Sequence, residues 1–220
     1  MTTYLITGAN RGIGLELCTQ LKARGDDVIA VCRASSEALD ALGVRVEAGV
    51  DVSQAEDVAA LAQRLEGVSI DVLVNNAGIL SRETLDNMDF VAIERQLQVN
   101  AMAPLRVSHA LLGRLSKDGK IVIITSRMGS IGDNGSGGHY GYRMSKAAVN
   151  AAGVSLARDL EPRGIAVLLL HPGMVATEMT GRHGIAASES VQGIVKRIDA
   201  LSLRDTGKFW HAGTGEELPW

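Results

Sequence analysis

Tyr142 and Lys146 stand four positions apart in the stretch Tyr142-Arg143-Met144-Ser145-Lys146, a spacing that on a helix sets a phenol beside an ammonium on one face. A free phenol has a pKa of about 10, and a cation a few ångströms away favours the phenolate and draws that value down. The pair is a candidate acid/base device. Tyrosine and lysine also fall four apart on ordinary solvated helix faces, so other residues must decide. Tyr140, two positions earlier, has Met144 and not a lysine four places on.

Such a device needs elements that hold a reactant against it. Thr7-Gly8-Ala9-Asn10-Arg11-Gly12-Ile13-Gly14 follows the apolar run Tyr4-Leu5-Ile6 and precedes Leu15, Leu17, Cys18 and Leu21, which predicts a strand, a glycine-rich turn and an amphipathic helix. Glycines let backbone take positive φ and approach a pyrophosphate closely. The helix amino end offers unpaired N–H groups and a positive dipole end. The spacing Gly-x-x-x-Gly-x-Gly departs from the Gly-x-Gly-x-x-Gly fingerprint, and a plain strand-to-helix turn would also satisfy it.

Three more segments follow in order: Asn75-Asn76-Ala77-Gly78 after the apolar run Ile70 to Val74, Asn100 in Gln98-Val99-Asn100, and Ser126 closing Ile121-Val122-Ile123-Ile124-Thr125. Thr125 and Ser130 flank Ser126, but Ser126 stands at the strand end three residues before Gly129. With the tyrosine pair, these segments make the chain resemble the short-chain dehydrogenases/reductases, single-domain branch, almost end to end. Ser130-Ile131-Gly132-Asp133-Asn134-Gly135-Ser136-Gly137-Gly138 and Leu218-Pro219-Trp220 make it similar to the carbonyl reductases related to C-factor and sniffer.

The resemblance implies hydride transfer between a nicotinamide and a carbonyl or alcohol carbon. Tyr142 would donate the proton in reduction and Ser126 would hydrogen-bond the same oxygen. Lys146 would hold the nicotinamide ribose and keep the tyrosine pKa low. Asn100 would anchor a water in a proton relay to the lysine; equally, it could cap a helix break before Ala101. Gly8, Asn10, Arg11, Gly12, Ile13 and Gly14 would cradle the dinucleotide, with Asp51 and Val52 at the adenine. Asn76, Ala77 and Gly78 would lie beside the cofactor as supports of the sheet. Pro172, Gly173, Val175 and Thr177 would meet the nicotinamide end, Thr177 at the carboxamide.

Cofactor choice is read at the end of the second predicted strand. An NAD enzyme usually places a carboxylate there to accept from the ribose 2′-hydroxyl, and that carboxylate repels a 2′-phosphate. Cys32 occupies the position, Arg33 follows, and Arg11 is a second cation able to approach the same phosphate, where a guanidinium fork binds well. NADP(H) is expected over NAD(H). The alternative is that both arginines are merely solvated.

Composition excludes other classes. The chain has 220 residues, 46% of them hydrophobic, and a formal charge of −3, which suits one domain over 1–220 with a sizeable core. Without a dense Lys/Arg block, a nucleic-acid partner is not expected. No apolar run approaches the ~18 residues of a membrane span and no signal segment precedes the first strand, so a cytoplasmic protein is expected. Cys18 and Cys32 are isolated, the five histidines are dispersed, and no metal site is expected.

Strand-like runs near 2–7, 27–32, 44–48, 70–75, 119–125, 165–171 and 207–210 alternate with helical patterns, predicting an α/β fold: a Rossmann-type doubly wound parallel sheet of about seven strands with helices on both faces. The glycine turn, Asn76, Ser126 and Pro172-Gly173 all fall at carboxyl strand ends, where such sheets bind ligands. Gly132 to Gly141 holds five glycines and is expected to be mobile or sharply turned; it either shapes the substrate pocket or is a solvent excursion. Glu178 to Glu189 reads as a short lid. Ala147, Ala148, Ala151, Ala152 and Ser155 permit close helix approach; the resemblance implies that this helix and the preceding one, with Leu105 and Leu111, pair across a two-fold axis in a homodimer or tetramer, and simple close packing on the sheet is the alternative. Two rivals to the enzyme remain. A C-factor-like signalling or regulatory nucleotide-binding protein with little turnover is disfavoured by the intact Ser126, Tyr142 and Lys146. The longer epimerase/dehydratase branch lacks this glycine pattern.

Overall fold

A computed structural model describes residues 1–220. Seven strands, β1 (Thr3–Thr7), β2 (Asp27–Val31), β3 (Arg45–Glu47), β4 (Ile70–Asn75), β5 (Leu115–Ile124), β6 (Ala166–His171) and β7 (Phe209–His211), form one sheet in the order β3-β2-β1-β4-β5-β6-β7. Every pairing is parallel. Parallel neighbours need crossovers, and the intervening helices supply them: α1 (Gly12–Arg24), α2 (Glu37–Asp40), α3 (Ala55–Arg64), α4 (Phe90–Leu97), α5 (Ala103–Leu111), α6 (Tyr140–Leu160) and α7 (Ala187–Ala200). The expected Rossmann-type α/β sheet is therefore observed.

The central stretches of β1, β2, β4, β5 and β6 are apolar on both sides because both faces of the sheet are covered. Successive side chains point to opposite faces, so Leu5, Ile29, Leu73, Ile121 and Val167 pack with residues of α3, α5 and α6. Their neighbours Ile6, Val28, Val72, Val122 and Leu168 pack with α1 and α7. The chain leaves β1 toward β2 on one side and returns to β4 on the other. This reversal opens a crevice at the carboxyl ends of β1 and β4, the usual ligand position of such sheets.

Three details depart from the sequence expectations. β5 begins at Leu115 and its register with β4 shifts between Ile70 and Val72, so the strand is longer than the run 119–125. No helix break precedes Ala101: α4 continues through a π turn, Gln98–Met102, into α5. Such a wider turn admits an extra residue without ending the helix, and Asn100 sits in it, buried. Thirdly, Leu111 is fully buried in the core and leaves the candidate assembly face. That face retains Met102, Leu105, Met144, Ala148 and Ala151, all exposed.

Candidate active site

The glycine turn is held by its neighbour strand. Thr7 ends β1, and its hydroxyl accepts from the Asn76 and Ala77 amides, both at 3.1 Å. The Asn76 side chain returns from β4 to donate to the carbonyls of Thr7 at 2.9 Å and Gly8 at 3.2 Å. A β-carbon at Gly8 would stand 2.8 Å from the Ala77 Cα, and one at Gly14 would collide with the Gly8 carbonyl. Gly8 and Gly12 have φ of 67° and 54°, a region that L side chains avoid. Four strand-end amides and carbonyls are thus locked together under a turn that only glycine can make.

Above this turn, α1 begins with neither a side-chain cap nor an acidic residue in its first turn. Its amino end keeps unpaired N–H donors and a positive dipole end, which fits a phosphate. A β-carbon at Gly12 would approach Thr177 at 3.4 Å, so the turn and the segment after β6 are in contact. The residues present fit a dinucleotide.

At the end of β2, Cys32 is buried and Arg33 exposed. Asp51 is buttressed by Ser53, whose amide and hydroxyl donate to it at 2.9 and 2.6 Å. Burial pushes its carboxyl up, but those bonds and the Arg33 charge outweigh it and hold the group below the usual carboxylate range. The following Val52 is buried, and its carbonyl accepts from Arg106 at 3.2 Å. Arg11 is not poised beside Arg33: its guanidinium pairs with Glu178 at 2.5 Å, both groups largely exposed. A pair this exposed is weak enough to exchange for another anion.

Ser126, Tyr142, Lys146 and Asn100 converge at the ends of β4 and β5. Ser126 caps the short turn Arg127–Gly129 by accepting from the Met128 amide at 3.1 Å. Gly129 lets this turn lie on α6, since a β-carbon there would be 2.7 Å from the Lys146 carbonyl carbon. Tyr142 and Lys146 share a face of α6, with the Lys146 Nζ 5.7 Å from the phenol ring centroid. Lys146 is almost wholly buried and donates to the Ile124 carbonyl at 2.9 Å; burial lowers its pKa to about 8.

Here the expectation of a lowered tyrosine pKa is overturned. Burial raises the Tyr142 phenol, a hydrogen bond with Ser126 opposes it, and the net shift is upward. Desolvation of the phenolate is the larger effect and the Ser126 hydrogen bond the smaller. Asn100 caps no helix end and instead bonds across the site. Its side chain accepts from the Ile79 amide at 2.8 Å and donates to the Ile79 carbonyl at 2.9 Å and the Ser145 hydroxyl at 3.0 Å. It therefore ties the chain after β4 to the helix turn between Tyr142 and Lys146. A β-carbon at Gly78 would sit 3.4 Å from the Asn100 Oδ1 and 3.9 Å from the Lys146 Nζ, so these three residues adjoin.

The residues after β6 close the other side. The Pro172 carbonyl accepts from Ser190 at 2.7 Å, Gly173 has φ of 86°, and Val175 bridges to Ile185. Thr177 and Thr180 cap the turn Glu178–Thr180 reciprocally. This is a fastened segment and not an open arm.

A model of the short chain dehydrogenase family matches residues 2–187. The chain belongs to this family. Within it, the chain is 43% identical, over 227 aligned positions covering all of both proteins, to 1-hydroxy-2-glutathionyl-2-methyl-3-butene dehydrogenase of Rhodococcus sp. strain AD45. It is 42% identical to C-signal of Myxococcus xanthus over 155 positions, 69% of this chain and 93% of that protein. Among solved structures, NADPH-bound carbonyl reductase from chicken fatty liver superposes with a TM-score of 0.90 at 30% identity, covering 100% of this chain and 99% of the other. The carbonyl reductase Sniffer of D. melanogaster superposes with a TM-score of 0.91 at 28% identity over 100% of both. The similarity to the C-factor and sniffer group read from the sequence is thus found independently.

This short-chain dehydrogenase also contains positioning residues that the sequence did not single out. Thr7 was visible only as the residue before Gly8, yet its hydroxyl joins β1 to Asn76 and Ala77. Ser145 links Asn100 to the Tyr142 carbonyl, to which it donates at 2.9 Å. Arg143 gathers the glycine-rich loop, donating to the carbonyls of Gly137 and Gly138 and to the Ser136 hydroxyl at 2.8 Å. That loop is turned and fastened, ending at His139, so Gly141 belongs to α6. A polar cleft of about 400 Å³ at the opposite strand ends, among Asp71, Lys117, Asp118, Lys120 and Asp199, shares no residue with this site.

Proposed function

We propose that this oxidoreductase is an NADP(H)-dependent carbonyl reductase with Ser126, Tyr142 and Lys146 as its catalytic residues. The observation that carries the reading is the meeting of Ser126 and Tyr142 over a buried Lys146, beside a glycine cradle with an uncapped helix end. Gly8, Asn10, Arg11, Gly12, Ile13 and Gly14 hold the pyrophosphate, and Arg33 with Arg11 holds the 2′-phosphate. Asp51 and Val52 meet the adenine. Asn76, Ala77, Gly78, Pro172, Gly173, Val175 and Thr177 line the nicotinamide half with Tyr142 and Lys146. The chicken carbonyl reductase has NADPH bound, which supports this choice of cofactor.

The bound dinucleotide supplies the hydride. Ser126 donates a hydrogen bond to the substrate carbonyl oxygen and orients it at Tyr142. A phenol whose pKa is raised by burial keeps its proton at neutral pH and delivers it as charge builds on that oxygen. Lys146 orients the ribose hydroxyls, and Asn100 holds the approach to it from the Ile79 side. The raised phenol suits the reductive direction.

The test is Tyr142→Phe, assayed by NADPH consumption against aldehydes, ketones and quinones, and in the oxidative direction with a glutathione-conjugated alcohol such as the Rhodococcus relative's name describes. A loss of about 10² to 10⁴ in kcat with NADPH affinity kept is expected; retention of more than about a tenth of kcat contradicts the acid role. C-signal supports a second reading, a signalling or regulatory nucleotide binder with little turnover. Tight NADPH binding without turnover across the panel would favour it.

We further propose a single domain, a cytoplasmic site of action, and assembly as a homodimer or tetramer through α5 and α6. No helix is long and apolar enough to cross a membrane. Sedimentation at micromolar concentration is expected to give more than the 23.2 kDa species, and Ala148→Glu is expected to disperse it with the fold intact.

A further inference from the structure

Helix α6 carries Tyr142 in its first turn, yet it starts without a cap of its own. Its preceding residue, His139, has a left-handed backbone with φ of 53° and makes no side-chain cap. The missing partner comes from far away in sequence. Glu83, 2% exposed, places one carboxylate oxygen 3.1 Å from the Gly141 amide, and its backbone carbonyl accepts from the His139 amide at 2.9 Å.

The carboxylate is otherwise fully engaged. Its second oxygen accepts from the Gln96 side chain at 2.9 Å and from the Ser81 hydroxyl. Gln96, itself fully buried, donates to the Ser81 hydroxyl at 2.6 Å and accepts from the Ser81 amide at 3.1 Å. Burial pushes the carboxyl up, but the Ser81, Gly141 and Gln96 bonds outweigh it and keep the group below the usual range, hence ionised. Gly141 completes the fit: a β-carbon there would run into the Gln96 amide nitrogen and stand 3.0 Å from Ile93. A buried anion with its hydrogen bonds satisfied, set at the positive end of a 21-residue helix, is a strong and directional anchor.

We propose that Glu83, held by Ser81 and Gln96, is a positioning residue that clamps the first turn of α6 and so aims the Tyr142 phenol at Ser126. It touches neither substrate nor dinucleotide and acts through the Gly141 amide, one residue before the tyrosine. This rests on the proposed acid role of Tyr142, and Tyr142→Phe tests that role separately. If Tyr142→Phe inactivates and Glu83→Ala does not, the clamp alone is rejected.

The experiment compares Glu83→Ala, Gly141→Ala and the unaltered enzyme in kcat, KM, NADPH affinity and the ultraviolet titration of the phenols. Misaiming the proton donor by a fraction of an ångström to an ångström is expected to lower kcat about ten- to a hundredfold, with KM and NADPH affinity within about twofold. The chain has three tyrosines, so subtracting the titration of the same variant carrying Tyr142→Phe isolates Tyr142. Its raised pKa is expected to fall toward the ordinary value in Glu83→Ala as water reaches the loosened turn. A purely structural loss would lower thermal stability and leave both kcat per folded molecule and the phenol titration where they were; that result overturns the proposal. Should Glu83→Ala fail to fold, Ser81→Ala, which removes one support, is expected to give a smaller drop in kcat and a smaller fall of the Tyr142 pKa. An unchanged Ser81→Ala enzyme overturns it equally.

Discussion

The two halves of the cleft are built differently. On the dinucleotide side, backbone meets backbone: Gly8, Gly14, Thr7 and Asn76 lie so close that a single added methyl collides with a carbonyl. On the proposed substrate side, the loop after Ser126 and the segment after Gly173 present exposed apolar side chains, Ile131, Met174 and Met179. Their backbone is fastened by turns and by Arg143, but the side chains facing out have no partners to satisfy. A surface made by backbone must be the same for every substrate, whereas one made by loop side chains can change without disturbing the sheet. On the proposed function, the contrast assigns the shared cofactor binding to the rigid half and selectivity to the other.

The largest effect is expected from Gly14→Ala, which forces a methyl into the Gly8 carbonyl. A loss of about 3 kcal/mol or more in unfolding free energy is expected, as for an overpacked core, measured by urea denaturation. NADPH binding should be lost with it. A variant that keeps both would break the claim that this half tolerates no added atom.

Next comes the edge of the dinucleotide side. Arg33→Ala is expected to raise the NADPH Kd ten- to a hundredfold and to leave NADH nearly unchanged, since a charge-assisted contact is worth about 1.5–3 kcal/mol. Equal losses for both cofactors would remove Arg33 from the phosphate. Glu178→Gln should sharpen the same point in the opposite direction, tightening NADPH about two- to fivefold by freeing Arg11 from a surface pair worth at most about 1 kcal/mol.

Two bases, Lys146 buried and His171 half-buried, are expected to shape stability against pH. Lys146, lowered to about 8 by burial, binds fewer protons folded than unfolded between about 8 and its ordinary value near 10.4. Stability contributed by this group therefore rises across that window as pH increases. Lys146→Met should flatten the rise in a series of thermal melts. His171 is lowered to about 4 by burial, with the charges of His211 and Arg127 adding to the effect. It stays neutral when folded, so stability is lost as pH falls from about 6.5 toward 4. His171→Gln should make that acid limb shallower.

The smallest change belongs to the open half. Met174→Ser, at a residue 60% exposed, is expected to alter unfolding free energy by less than about 0.5 kcal/mol while shifting KM among substrates of different size. An unchanged KM across a panel would take Met174 out of the pocket wall and weaken the contrast itself.

The alternation of strands and helices, the turn at Gly8 to Gly14 and the shared helix face of Tyr142 and Lys146 were legible in the chain, because each depends on local pattern: apolar runs, positive-φ glycines and helical spacing of four. Even the two-faced sheet followed from the alternation of strand-like runs with helical patterns. What local pattern could not determine was electrostatic balance and long-range pairing. The Tyr142 phenol is raised and not lowered, because desolvation outweighs the hydrogen bond with Ser126. Arg11 turns to Glu178, 167 positions away, and Asn100 sits in a continuous helix that the tertiary contacts with Ile79 and Ser145 hold in a widened turn. Glu83, which no local pattern marks, caps α6 from 58 positions away. Spacing along a chain records which groups share a face, whereas desolvation and the choice among partners depend on everything packed around them.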